Sequence, residues 1–213
     1  MRVDGAGRTD AGVHATGQVI AFTWPRRHTA EGLTRSVNAV LPPDVAIREV
    51  RRVPARFHPR FAARYREYRY TVWNGPRSPV RERTALGIRA PLDTAAMARA
   101  GLVLVGRHDF TAFGAVKDRH PVRTVFAVRV RREGRLVTID VRADAFLRGM
   151  VRRMVAALLA VGRGQLNEDD VAAALAARRP VRHGATAPSK GLCLRRVVMG
   201  RPQGQTDGER EDR

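Results

Sequence analysis

Small or polar residues alternate with apolar ones from Val13 to Phe22 (VHATGQVIAF), and the end of that run reads as a strand. The period then lengthens. Leu33, Val37 and Leu41 share one face behind Thr29, a good N-cap, which predicts a helix through about Leu41, stopped by Pro42-Pro43. Val45 to Val53 and Arg66 to Asn74 (REYRYTVWN) are strand candidates, and Asn74-Gly75-Pro76 is a turn signal. Pro79 to Pro91 reads as a loop with a short strand at most, and a domain boundary is placed there. Beyond it, Met97, Leu102 and Val105 belong to a helix expected over Asp93 to Val105. Two strands, Arg123 to Arg131 and Arg135 to Val141, flank a turn at Arg132-Glu133-Gly134. A long helix is expected from Ala145 to about Val161, ended by Gly162. A second runs from about Glu168 to Ala177, capped by Asn167, and a last strand spans Leu192 to Val198. The polar tail from Gly200 is expected to be disordered. Strands mixed with helices and joined in hairpin-like pairs define an α+β class with largely antiparallel sheets. The expected division is 1–84, 85–199 and a tail, 200–213.

Composition narrows this picture. The 213 residues suffice for one or two compact domains. The longest apolar stretch, Met154 to Val161, is far short of the ~20 residues that span a bilayer, and the first residues lack the apolar core of a secretory signal. No membrane association is expected. The single cysteine, Cys193, excludes an internal disulfide and a Cys-rich metal site. These features fit a soluble protein of a reducing cytoplasm.

Charge changes the picture most. There are 40 Lys+Arg against 20 Asp+Glu, a formal net charge of +20, and Lys117 and Lys190 are the only lysines. A coding bias towards arginine accounts for the choice of Arg over Lys. It does not account for a two-to-one excess of positive charge, which a nucleic-acid partner does. Guanidinium groups match phosphate bidentately.

The candidate chemistry lies near the start, in Gly5-Ala6-Gly7-Arg8-Thr9-Asp10-Ala11-Gly12-Val13-His14. The glycines permit a tight loop and close approach by a ligand. A carboxylate held beside Arg8 stays ionised at neutral pH, as a nucleophile or base at a carbon centre requires. Spacing alone favours the simpler reading, a surface turn with a solvated Arg8–Asp10 pair. The loop lacks the Lys-Ser/Thr of a P-loop. His14, His28, His58, His108, His120 and His183 are scattered without ligand-like spacing, so no metal is expected.

The run GRTDAGVHATGQVIAF, Gly7 to Phe22, closely resembles the active-site segment of TruA-type tRNA pseudouridine synthases. The resemblance continues in order through FHPRFAARYREYRYTVWN, HDFTAF at His108 to Phe113, VRT at Val122 to Thr124, ADAFLRGMVRRMV at Ala143 to Val155 and GLCL at Gly191 to Leu194. It covers Val3 to about Val198. It implies an enzyme, an isomerase that converts uridine to pseudouridine in the anticodon arm of tRNA, at positions 38, 39 and/or 40. Asp10 matches the family's essential aspartate. Arg8 matches an arginine beside it that helps hold the flipped nucleotide. Tyr68 matches the active-site tyrosine, and Arg152 an arginine expected to pair with the aspartate. Leu192 and Leu194 would form an apolar wall beneath the uracil. The resemblance also implies two similar halves, each a mainly antiparallel sheet with helices on one side, with the catalytic cleft between them. It further implies a homodimer with an RNA stem across both subunits.

These roles are chemically coherent. The uridine must leave its stack to expose the glycosidic bond, at a cost of a few kcal/mol. The N1–C1′ bond breaks, the base rotates, and C5 joins C1′. Asp10 could attack C1′ or C6, or remove a proton from C2′. No redox step, phosphoryl transfer or activated water is needed, so no cofactor is implied. Read from the strand period alone, Tyr68 and Tyr70 share a face and at least one belongs to the core, while Tyr65 faces the other way. The basic residues Arg51-Arg52, Arg60, Arg64, Arg66, Arg77, Arg81, Arg83 and Arg178-Arg179 are expected to contact phosphates and position the RNA by shape.

Two departures from the family pattern stand out. Family members normally begin with a further strand, containing a Tyr-Asp-Gly and a Gly-Trp-Gln stretch, and a helix; here Met1 lies nine residues before Asp10. That strand is expected beside the one carrying Tyr68, so an open edge and exposed apolar surface are expected there. Cys193 occupies a position that is usually aromatic in the family. The alternative function is a basic RNA-binding fragment without catalysis.

Overall fold

Arg66, Tyr68, Tyr70 and Val72 are buried, while Tyr65, Glu67, Arg69, Thr71 and Trp73 between them are half-exposed. This is the two-residue period of a strand with one face against a core. The strand, β4 (Ala63–Asn74), lies near the middle of a seven-stranded sheet. The computed structural model describes residues 2–24, 28–115, 120–181 and 186–200. Lys117, His183 and the tail 201–213 lie outside the described residues.

Along one flank of β4 runs β8 (Leu136–Ala143), antiparallel, with Val141 opposite Tyr68. Along the other runs β9 (Leu192–Met199), also antiparallel, with Leu194 opposite Tyr68 and Leu192 opposite Tyr70. Beyond β8 the sheet continues through β7 (Val122–Glu133) to β6 (Gly106–Asp109). Two short strands pair in parallel: β2 (His14–Ala15) on β9, and β5 (Leu86–Ile88) on the end of β4. A separate antiparallel ribbon joins β1 (Val3–Gly5) to β3 (Ile20–Phe22). The fold is therefore α+β and mainly antiparallel. Because β4 lies between β8 and β9, residues on both sides of the 84/85 boundary share one sheet.

One sheet face carries the core. Tyr70, Val72, Val137, Ile139 and Val141 pack with Met97 and Leu104 around α3 (Thr94–Val103), with Met150, Met154 and Leu158 of α4 (Met150–Gly162), and with Val171 of α5 (Glu168–Ala177). Helix α4 is buried on nearly every side, which accounts for its run of apolar residues. Helix α5 begins where expected, with Asn167 and Asp170 forming a reciprocal capping box. No helix among the described residues is long and apolar enough to cross a membrane.

The structure corrects several expectations. Helix α1 (Ala30–Asn38) is capped by Thr29 but ends at Asn38, short of Leu41, and buries only Leu33. Val45 to Val53 forms no strand. The Asn38 side-chain amide donates to the Ile47 carbonyl (2.8 Å) and accepts from the Ile47 amide (2.7 Å), occupying both groups a ladder would use. Helix α4 starts at Met150 rather than Ala145. The Asp144 carboxylate captures the Thr124 and Ala145 amides, Leu147 turns into the core, and Gly149 caps the helix in a left-handed conformation (φ 71°). The open edge expected beside Tyr68 is absent there, because β8 and β9 fill both flanks. Among the described residues β1 pairs only with β3, and this ribbon exposes Val3 and Ile20.

Candidate active site

The loop carrying Asp10 leaves the β1–β3 ribbon and returns to the sheet edge, and both ends are fixed. At the start, the Ala6 amide donates to the Val19 carbonyl (2.8 Å), and the buried Ala6 carbonyl accepts from Arg66 Nη2 (2.8 Å). At the end, β2 joins β9, and the Thr16 and Gly17 amides both donate to the Leu194 carbonyl (2.9 and 3.2 Å). Between them, the Val13 amide closes a turn on the Asp10 carbonyl (3.1 Å). Gly12 in that turn has φ 77°, and a Cβ there would lie 2.7 Å from Ser189 Oγ. Only glycine satisfies both conditions.

Arg152, in the first turn of α4, reaches across to this loop. Its Nη1 donates to Asp10 Oδ2 at 2.9 Å and its Nε to the Ala187 carbonyl at 2.7 Å. The Ala187 amide in turn donates to the Arg152 carbonyl (3.1 Å), so the guanidinium is held on a fixed segment. The two side chains keep 21% and 34% of their exposure. Solvent thus screens the pair, and its contribution is to orientation more than to stability.

Tyr68 is buried on the core side of β4, edge-on to Phe146 with ring centroids 5.2 Å apart. Burial pushes its hydroxyl up to about 12, with Arg66 opposing and Asp10 reinforcing the shift. It is a neutral hydrogen-bond donor at physiological pH, and among the described residues its hydroxyl has no hydrogen-bond partner. Leu192 and Leu194 are buried on the same face, opposite Tyr70 and Tyr68. Tyr70 is core; its hydroxyl donates to the Pro188 carbonyl (2.9 Å). Tyr65 faces away, as its spacing predicts, beneath the Arg142 guanidinium (5.3 Å).

The structure thus brings Asp10, Arg152, Tyr68, Leu192 and Leu194 into one neighbourhood. Arg8 is exposed and does not touch the carboxylate; the pair that spacing alone suggests is replaced by Arg152–Asp10. Cys193 points to the opposite sheet face from its neighbours, with Sγ 3.9 Å from Thr16 Oγ1.

Arg66 corrects another expectation. It is buried and cannot meet a phosphate. Its guanidinium donates to the carbonyls of Ala6 (2.8 Å), Arg60 (2.7 Å) and Asp144 (2.7 Å), tying the Asp10 loop to the segment that leads into α4. Burial lowers its pKa, with Tyr68 and Asp144 opposing. The signal was in the sequence: Arg66 shares the two-residue period of Tyr68, Tyr70 and Val72. Arg51 and Arg178 are exposed but already paired with Glu49 and Asp109, whereas Arg60, Arg64, Arg77, Arg81 and Arg83 are exposed and in no salt bridge among the described residues.

Residues 100–198 match a family model described as tRNA pseudouridine synthase. The chain is 42% identical to the tRNA pseudouridine synthase A of Geobacter sulfurreducens, over 92% of this chain and 82% of that protein. It is 45% identical to that of Moorella thermoacetica, over 90% of this chain and 79% of that protein. For Pectobacterium atrosepticum the identity is 44%, over 89% of this chain and 68% of that protein. Within the pseudouridine synthases, the chain belongs to the tRNA pseudouridine synthase A family.

Proposed function

We propose that the protein isomerises uridine to pseudouridine in the anticodon arm of tRNA, at positions 38, 39 and/or 40, with Asp10 as its catalytic carboxylate. The observation that carries this reading is the 2.9 Å contact from Arg152 to Asp10, beside a buried neutral tyrosine. The arginine, itself held on the Ala187 carbonyl, aims the carboxylate. Tyr68 stacks on or bonds to the extruded base, and Leu192 and Leu194 form the apolar wall under it. Arg8 faces the incoming nucleotide from the rim. The N1–C1′ bond breaks and C5–C1′ forms; the C5 proton leaves and N1 regains one, so no outside reactant is consumed. Asp10 acts at C1′, at C6 or on the C2′ proton.

Asp10 belongs to residues 1–84 and Arg152 to residues 85–199, so on this reading the catalytic cleft lies at the junction of two halves. The resemblance adds a homodimer working in the cytoplasm, with the exposed arginines positioning the RNA stem. The deciding experiment is a pseudouridine assay on unmodified tRNA with the parent and Asp10→Ala. Product from the parent, its loss in Asp10→Ala and retained RNA binding in both support the synthase. RNA binding without product from the parent leaves the non-catalytic RNA-binding module.

A further inference from the structure

Where β4 ends, a cleft of about 380 Å³ opens that the proposed chemistry does not use. That volume lies within the range of small-ligand sites, roughly 300–1,000 Å³. The indole of Trp73 lines it, on the sheet face opposite Tyr68 and Tyr70. The ring is anchored, because Nε1 donates to the Pro76 carbonyl (2.7 Å). Its neighbour across the parallel β4–β5 pair is Gly87. A Cβ built on Gly87 would meet no atom within 4 Å, so the position that would normally cover the ring is open.

Cations surround this aromatic surface. The Arg81 guanidinium lies 5.9 Å from the Trp73 ring centroid, and Arg77, Arg89 and Lys190 also line the cleft. Glu82 is the only acid lining it, and Lys190 pairs with it, lowering its pKa chiefly through their hydrogen bond. Among the described residues, Arg77, Arg81 and Arg89 form no ion pair. Three guanidiniums outside any salt bridge, of which Arg77 also acts through space on Glu82, surround the half-exposed indole and complement a nucleotide: the base stacks and its phosphate takes the arginines.

The cleft adjoins the loop of Asp10. Ser189 faces Gly12, Lys190 faces the cleft, and both belong to one 3-10 turn, Ser189–Gly191. On the same side, His14 Nε2 donates to the Arg83 carbonyl (2.8 Å). We infer that the cleft is a subsite for an unpaired nucleotide of the RNA substrate flanking the target uridine. The base lies on Trp73 and the phosphate on Arg77, Arg81 and Arg89. This rests on the synthase reading for its RNA, and stacking makes it tolerant of base identity.

The test fills the cleft without changing charge. In a Trp24→Phe background, Trp73 is the only tryptophan. A 5′-phosphorylated uridine dinucleotide should quench its fluorescence, and Gly87→Leu should abolish the quenching. With unmodified tRNA, Gly87→Leu and Arg81→Ala should each weaken binding about tenfold. Both should raise KM correspondingly, and Gly87→Leu should leave kcat unchanged. Should Gly87→Leu fail to fold, Arg81→Ala and an Arg77→Ala/Arg89→Ala double variant carry the test. Unchanged quenching and tRNA affinity in folded variants would overturn the proposal. So would a changed oligomeric state with unaltered RNA affinity, which would make the cleft a contact between copies of the chain. Failure of the synthase reading looks different: the parent makes no pseudouridine while quenching and tRNA binding still depend on Gly87, which keeps the cleft as a nucleotide site but removes the target uridine it would flank.

Discussion

Arg66 carries a charge into the interior of the sheet without a salt bridge among the described residues; the Asp144 carboxylate acts on it only through space. Desolvating a guanidinium is costly, and here main-chain carbonyls from three separate segments offset that cost. Arg66→Met would leave those carbonyls without their donor, at about 1–3 kcal/mol for each unsatisfied group. The expected result is several kcal/mol lost in urea unfolding and, where folded protein remains, a fall in kcat larger than the rise in KM. Arg66→Lys should recover only part of both, because a compact ammonium cannot span three carbonyls as a planar fork does. Tyr68 gives a pH signature. Its unfolded value is 10.0 and its folded value about 12, raised chiefly by burial. Below pH 10 both states hold the proton and stability is complete. Between 10 and 12 the unfolded chain releases it while the folded protein does not, so this group's contribution falls by about 1.4 kcal/mol per pH unit. Unfolding free energies measured across that window should decline less steeply in Tyr68→Phe than in the parent. Burial also raises Tyr70, which keeps a residual slope in the variant.

At the level of elements, the start of α4 decides where Arg152 points. Gly149 sits at φ 71°, and an added Cβ would lie 2.7 Å from Arg153 Nη1. A left-handed conformation costs a non-glycine residue about 1–2 kcal/mol. Gly149→Ala should therefore lower stability by that amount. It should also lower kcat, because relaxation of the cap rotates Arg152 away from Asp10; thermal unfolding and single-turnover assays separate the two effects. The period of α4 was legible in the sequence, but its first residue was not. The segment Ala145 to Leu147 is apolar enough for helix, yet the Asp144 carboxylate takes its first amide and Leu147 fills space beside Gly114. Similarly, the strand pattern at Val45 to Val53 is genuine, but the Asn38 amide occupies the backbone at Ile47, near its start.

Across the whole molecule, the net charge of +20 is an expectation about salt. Guanidiniums that meet phosphate release counterions, so affinity for tRNA should fall linearly in log–log form as salt rises. With 6–10 phosphate contacts, the loss is about 10³–10⁵ between 50 and 200 mM. Filter binding over that range measures the slope, and a flat response would remove the electrostatic account of RNA recognition. Burial removes Arg66, and carboxylates compete for the exposed Arg51 and Arg178, so the slope counts fewer contacts than the arginine content suggests.

The α+β class, the faces of β4, the caps of α1 and α5 and the motifs that carry the family are all legible along the chain. These depend on periods and on neighbours close along the chain, which local sterics and side-chain polarity fix. That Asp10 meets Arg152 rather than Arg8, that Arg66 is a buried clamp and that Trp73 lies half-exposed beside Gly87 follow from the fold alone. Each of these pairs residues through sheet register or helix placement, and such contacts arise from packing the whole chain rather than from any local stretch of it.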